Sequence, residues 1–389
     1  MAKNGMRKIK LKEVCERITV GHVGPMADKY TTYGIPFLRS QNISAFRLNL
    51  DDIKFIPPEF HDKLRKSALR SGDVAVVRTG YPGTACVIPD NFKELNCADL
   101  VVITPSGELN PYYLAAIFNS SWGMASVAGN LVGVAQQHFN IGAARELEVS
   151  LPARQTQDRI ASILSAYDEM IENSQRRIKI LEQMARNLYR EWFIHFRFPN
   201  HTKTPMVDSP FGKIPKGWMV KKLGELADIS WGDTSTTKAS YVEEGYAAYS
   251  ASGLDGKLNH YDYDQTGIVL SAIGAQCGKT WLARGKWSCI KNTIRFWSKD
   301  DSASTEFLFI STAGQNFWPR RGAAQPFISQ GDAERIDLLT PDVATMKRFT
   351  VFAADSLEQK AMLQAQIENL RKTRDLLLPR LMSGQINVN

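Results

Sequence analysis

The 389-residue chain has no apolar run of about 18 residues, so no membrane-spanning helix is expected. Its opening residues, MAKNGMRKIKLKEV, are basic but lack an apolar core and a small-residue cleavage site, which argues against a signal peptide. Cysteine is scarce. Cys15, Cys86, Cys97, Cys277 and Cys289 are odd in number, widely spaced and form no C-x-x-C pair. A disulfide framework or Cys/His metal site is therefore not expected, and a reduced, cytoplasmic protein with no metal is the simplest reading. The six histidines are scattered, and a lone histidine is usually structural or exposed, so none is assigned catalysis. The Asp/Asn-Pro-Pro-Tyr/Phe tetrad of amino-methyltransferases is missing, since the nearest string, IPPE at 56–59, lacks both ends. No nuclease-like Asp…Glu-x-Lys cluster stands out either. The chain itself reads as a non-enzyme.

What is present is an ordinary globular composition, 43% hydrophobic and 23% charged, in a length suited to two or three domains. The net charge of +8 and a pI near 9.1 favour polyanionic partners.

Two long heptad series dominate the pattern. The first is Ile160, Leu164, Tyr167, Ile171, Ser174, Ile178, Leu181, Ala185, Leu188, Trp192. The second is Phe349, Ala353, Ser356, Lys360, Leu363, Ile367, Leu370, Arg374, Leu377, Leu381. Both step 4-3-4-3 and are offset by 189 residues (Ile160 to Phe349). A helix of some 40 residues is roughly 60 Å long, far beyond the usual globular helix. The segments before them also echo. LKEVCERI (11–18) matches LGELADI (223–229), and SGDVAVVRTGYPGT (71–84) matches TGIVLSAIGAQCGKT (266–280). NPYYLAAIFNS (110–120), with Asn110 as N-cap and Pro111 at the first helical position, has its counterpart in STEFLFISTAG (304–314).

The reading is an α+β fold with a pseudo-two-fold internal repeat. Residues 1–152 and 218–341 form two mixed α/β domains, and 153–197 and 342–389 form two long helices, the second with a tail. Residues 198–217, with Pro199, Pro205, Pro210 and Pro215, form a linker. Antiparallel pairing, with partner numbers summing to 541, sets Ile160 on Leu381, Leu164 on Leu377, Ile171 on Leu370 and Ile178 on Leu363. It also brings Trp192 near Phe349 and Arg374 against Tyr167, where a cation–π contact is expected. A parallel register instead buries Lys360 and Arg374 against Ile171 and Ala185. Two domains on an antiparallel rod suit duplex DNA, whose half-sites repeat about every 34–36 Å.

Polar and glycine-rich loops supply candidate base readers, because Arg grips guanine, and Gln or Asn adenine, in the major groove. In the first half they are Arg39, Gln41, Asn42, Arg78, Tyr81 and Gln137. In the second they are Ser250, Ser252, Lys279, Arg320, Arg321 and Gln325. The string GAQCGKT (274–280) looks like a phosphate loop but has one residue too few between its first glycine and Gly-Lys-Thr. A tight turn presenting Lys279 is the better reading. A nucleotide-binding enzyme using Gly274 to Thr280, and a coiled-coil adaptor with no DNA role, stand as alternatives.

At these residues the chain resembles, over nearly its whole length, the DNA-specificity subunit of type I restriction–modification systems. GKIPKGWMVKKLGELADI (212–229) is similar to the opening of a target-recognition domain in that family. AQQHFNIGAARELEVSLP and AQPFISQGDAERIDLLTP, each followed by a long helix, resemble its close. The string at 39–42 and the glycine turn near Gly80 and Gly83 also fit. The first half lacks an Ile-Pro-x-Gly-Trp opening, and YSASG (249–253) departs from the arginine-containing string of the first half. The resemblance implies two variable recognition domains, each reading one half of a split double-stranded DNA target. It implies two helices that hold them apart, with a methyltransferase subunit docked on each side and restriction/translocase subunits joining. S-adenosylmethionine, ATP and magnesium would belong to those partners, and the role would be DNA methylation and defence against foreign DNA. A specificity subunit of another modification or defence complex is the near alternative.

Overall fold

A computed structural model describes residues 6–131, 138–322 and 324–388. The chain divides into two compact units, 1–174 with 365–389, and 175–364.

In the first unit the central sheet is an antiparallel set of four strands. Cys15–Val20, Leu100–Pro105, Val74–Val77 and Ala85–Val87 lie side by side in that order. The continuous apolar runs VAVV and LVVIT arise because both faces of this sheet are covered. Val74, Val76, Val101 and Ile103 face the helix Pro111–Asn119 through Tyr113, Leu114 and Ile117. Ala75, Val77, Leu100 and Val102 face Leu38, Cys86 and Ile88 on the other side. Asn110 caps the helix by accepting from the Tyr112 and Tyr113 amides, and Pro111 opens it, as the sequence predicts. A smaller sheet runs Lys54–Ile56, Ile35–Leu38, Asn96–Cys97, the last strand being parallel to its neighbour. Arg7–Lys10 pairs with Glu148–Leu151 just before the first long helix.

The second unit repeats this topology. Its central sheet runs Ala227–Trp231, Thr293–Ser298, Gly267–Ser271, Thr280–Ala283. Ile268 and Leu270 point to one core and Val269 to another. The helix Thr305–Ser311, capped by Ser304, takes the place of Pro111–Asn119. The other sheet, here of four strands, again carries one parallel pairing, Tyr246–Ser250 with Lys286–Cys289. Met219–Lys222 pairs with Asp337–Thr340 ahead of the second long helix.

The segment 198–217 corrects the linker expectation. Met206–Ser209 and Gly212–Pro215 form a β-hairpin, and Phe198 and Ile214 are buried with Trp218. Its prolines exclude helix but not a hairpin. Pro210 sits in the turn, while Pro205 and Pro215 stand at the strand ends, where a missing N–H breaks no central ladder bond.

The long helices are Arg154–Tyr189, continued by a π-turn Arg190–Ile194, and Val343–Met382. Both pass from one unit into the other. Within each unit they pack antiparallel. In the first, Ile160 and Leu164 share a core with Leu377, Leu378 and Leu381, and Asp168 meets Arg374. In the second, Glu182 meets Lys360 at 2.7 Å and the Trp192 ring lies 6.0 Å from Phe349. Ile160, Leu164, Ile171, Phe349, Leu363, Ile367 and Leu381 are buried, while Tyr167, Ile178, Leu181, Leu188, Trp192, Leu370 and Leu377 are partly covered. The expected contact of Arg374 with Tyr167 is replaced. The guanidinium sits over Phe46 at 4.9 Å, because Asp168, one residue on, draws it aside.

Candidate nucleic-acid interface

The candidate loops are built on the ends of these strands. In the first unit, the end of Ile35–Leu38 turns through Ser40–Asn42. Asn42 is buried and makes this turn. Its Oδ1 accepts from the Arg39 amide at 3.0 Å and its Nδ2 donates to the Asn49 carbonyl at 2.9 Å. Asn42 is thus the residue that shapes this turn. Arg39 and exposed Gln41 both reach the Asp52 carboxylate, at 3.0 Å each, and Lys54 joins at 2.8 Å. These contacts, Lys54 foremost and then Arg39, hold the Asp52 carboxyl down at about 2.

The turn after Val74–Val77 lies beside this loop. Arg78 is largely covered. Its Nε donates to the Phe139 carbonyl at 3.1 Å and its Nη1 meets Asp99 at 3.2 Å. Thr79 donates to the other Asp99 oxygen at 2.5 Å, and Ser40 donates to the Asp99 carbonyl at 3.4 Å. Asp99 therefore joins the two loops, although no motif in the sequence pointed to it. Its backbone is left-handed (φ 53°), a conformation Asp and Asn tolerate best after glycine. Gly80 (φ 84°) gives the turn its shape, and Tyr81 stands 82% exposed at its tip. Gln137 lies outside the described residues.

In the second unit the parallel pairings set the correspondence. Leu38 opposes Cys97 and Tyr249 opposes Cys289, so 39–42 match 250–253. Ser250 is buried and donates to Asp255 at 2.7 Å, while its oxygen accepts from the Ser252 amide at 3.0 Å. Ser250 thus shapes this turn and is engaged by Asp255. Ser252 is exposed and lies 3.5 Å from the Lys238 ammonium. Asp255 also takes the Lys238 ammonium and, at 2.7 Å, the Tyr241 hydroxyl. Burial pushes the Asp255 carboxyl up, but Lys238, Ser250 and Tyr241 outweigh it and hold it below the ordinary range. Asn292, left-handed at φ 68° just before Thr293–Ser298, stands where Asp99 stands before Leu100–Pro105.

The string 274–280 joins two antiparallel strands, and no helix follows it. A phosphate loop needs the N-terminus of a helix behind it, so the nucleotide-binding alternative loses its geometry. The loop is a tight turn with Lys279 exposed, fastened to the loop around Pro326 by Gly274 N–H to the Pro326 carbonyl at 2.9 Å. Near it Arg320 donates to Asn316 at 3.0 Å, Arg321 pairs with Asp332, and Gln325 is exposed. Sequence reasoning also missed Arg295, whose guanidinium lies 4.1 Å over Trp297 and pairs with Asp228 at 3.0 Å. Among the described residues no group of three or more His, Cys, Asp or Glu side chains is placed to hold a metal.

Duplicated sheets that carry corresponding loops with different side chains define a duplicated recognition module. The family model of the type I restriction modification DNA specificity domain matches residues 3–183 and 215–368. The chain belongs to this family: it is a DNA-specificity subunit of the type I restriction–modification kind. It is 24% identical over 266 residues to the MjaIX specificity subunit of Methanocaldococcus jannaschii, a match spanning 63% of this chain and 62% of that relative. It is 21% identical to the HindI specificity subunit of Haemophilus influenzae, across 89% of this chain and 92% of the relative. The type I S subunit structure from M. genitalium superposes with a TM-score of 0.66 at 16% identity, covering 97% of this chain and 96% of that one, and so shares its fold.

Proposed function

We propose that each unit reads one half of a split double-stranded DNA target and that the paired helices carry the surfaces for methyltransferase subunits. The observation behind this is the substitution of 39–42, with nearby Asp52, in one unit by 250–253, with nearby Asp255, in the other, after corresponding strands of the two sheets. The framework repeats while the side chains able to meet base edges change, which suits two different half-sites. Lys and Arg contacts with phosphate supply salt-dependent affinity. S-adenosylmethionine, ATP and magnesium belong to the methyltransferase and the restriction/translocase partners, and the complex works in the cytoplasm. No helix among the described residues is long and apolar enough to cross a membrane. The bond-making steps take place on the partners; this chain's residues bind and orient the duplex. The test is to map methylated bases genome-wide in a host with and without the gene. One split motif should vanish with it. Loss of a continuous motif, or of none, overturns the reading.

A further inference from the structure

Each unit contains a carboxylate that gathers polar side chains in and beside its own candidate reading loop. Asp52 holds Arg39, Gln41 and Lys54, and Asp255 holds Lys238, Ser250 and Tyr241. The two acids lie near one another's counterpart positions: Asp52 is two residues before Lys54–Ile56 and Asp255 is within Gly253–Leu258, the strands that pair antiparallel with Ile35–Leu38 and Tyr246–Ser250. Neither is a core residue needed to fill space, for the Asp52 side chain is 58% exposed and that of Asp255 is 23% exposed. Nor is either explained by stability, because an exposed ion pair contributes little. Arg39 has its Nε buried, so it meets Asp52 through a terminal nitrogen.

We infer that Asp52 and Asp255 are specificity-determining residues that act as internal stand-ins for DNA, occupying the reading side chains until base edges of the right half-site replace them. The inference rests on the DNA-reading role proposed above. A phosphate approaching Arg39 and Lys54 exchanges one charge-assisted bond for another of similar strength and is repelled by the displaced carboxylate, so random sequence binds little better. A purine edge that accepts two parallel bonds from a guanidinium, or exchanges two with an amide, offers more than the carboxylate it displaces. The carboxylate thereby lowers affinity for wrong DNA more than for right DNA, which is how a repulsive element creates specificity.

The test uses the full-length chain and four duplexes: the target found by methylation mapping, the target with one or the other half shuffled, and a fully shuffled duplex. Asp52→Asn keeps the size of the side chain and removes its charge. It should raise affinity for the fully shuffled duplex by about tenfold and steepen its salt dependence by about 0.9, the effect of neutralising one more phosphate. Discrimination should fall at one half-site only, and Asp255→Asn should do the same at the other half-site. Unchanged affinity for shuffled DNA in both variants overturns the inference. So does a loss confined to the target, which would make the carboxylate itself a base reader, for instance of a cytosine amino group. Should the unsubstituted chain bind target and shuffled duplex equally, the DNA-reading role fails instead, so the two failures are told apart.

Discussion

Asp168 on the first long helix and Arg374 on the second meet at 2.5 Å within one unit, beneath the ring of Phe46. The Arg374 side chain is only 12% exposed, so this is a covered ion pair inside a helix interface. Burial pushes the Asp168 carboxyl above the ordinary range even with Arg374 beside it. Such a pair contributes little net stability but is costly to break from one side. Asp168→Ala should lower stability by about 2 kcal/mol, less than the loss for a fully buried pair because Asp375 also holds Arg374 at 2.9 Å. Replacing both residues by leucine should recover most of that loss. Urea melts followed by circular dichroism check both, and a single variant within about 0.5 kcal/mol of the parent would refute the one-sided cost.

The same helices fix their register with charge. The pair numbers of Asp168–Arg374 sum to 542, as do those of Glu182–Lys360 in the other unit. A slip of one heptad sets Asp168 against Ile367 or Leu381 and leaves its carboxylate without Arg374, which apolar heptads alone would tolerate. Cysteines introduced at Ile171 and Leu370 should therefore join rapidly under mild oxidation, whereas cysteines at Ile171 and Leu377 should not. Equal rates would mean the register is unspecified.

The scaffold was legible in the sequence because it repeats. Heptads give long helices, buried runs such as VAVV give covered strands, and Asn110-Pro111 gives a helix start. Each is a local pattern with a local cause. The candidate site was only half legible. Arg39, Gln41, Arg78 and Tyr81 could be nominated from residue type, but Asp52, Asp99 and Asp255 become visible only when distant segments meet. Asp99 touches Ser40, Arg78 and Thr79 from positions 59, 21 and 20 residues away. That Asn42 and Ser250 also shape their turns is visible only in three dimensions. The hairpin at 206–215 was hidden because proline marks where helix cannot form and is silent about whether the chain then folds.

The thiols carry a pH prediction. Burial pushes Cys15 and Cys289 up to about 12, and raises Cys86, Cys97 and Cys277 as well. At pH 8 a thiol at about 12 is roughly a thousandfold less ionised than a free one, so iodoacetamide should modify these five only slowly unless urea is added. Because the folded values lie above the unfolded ones, unfolding releases protons at high pH. The stability tied to these thiols is complete below about pH 8.5 and falls progressively as the pH rises toward 12. Mass spectrometry of alkylated chain reads the first outcome. Rapid labelling of Cys15 and Cys289 in the folded protein at pH 8 would contradict it.

Tyr81 offers the cleanest test of the reading surface. Its side chain is 82% exposed at the tip of a turn set by Gly80 and Gly83, both with positive φ. Tyr81→Ala should leave the stability within about 0.5 kcal/mol of the parent, as for an ordinary surface site. It should nevertheless weaken binding to target DNA at one half-site by about tenfold, the loss of one good contact. Arg78→Ala should weaken the same half-site by about 1–3 kcal/mol. It should also cost stability, since the guanidinium joins Phe139 to Asp99. The contrast separates contact from scaffold: two variants in one turn, the same half-site affected, only one of them destabilised. Loss of binding spread equally over both half-sites, for either variant, would count against one unit reading one half.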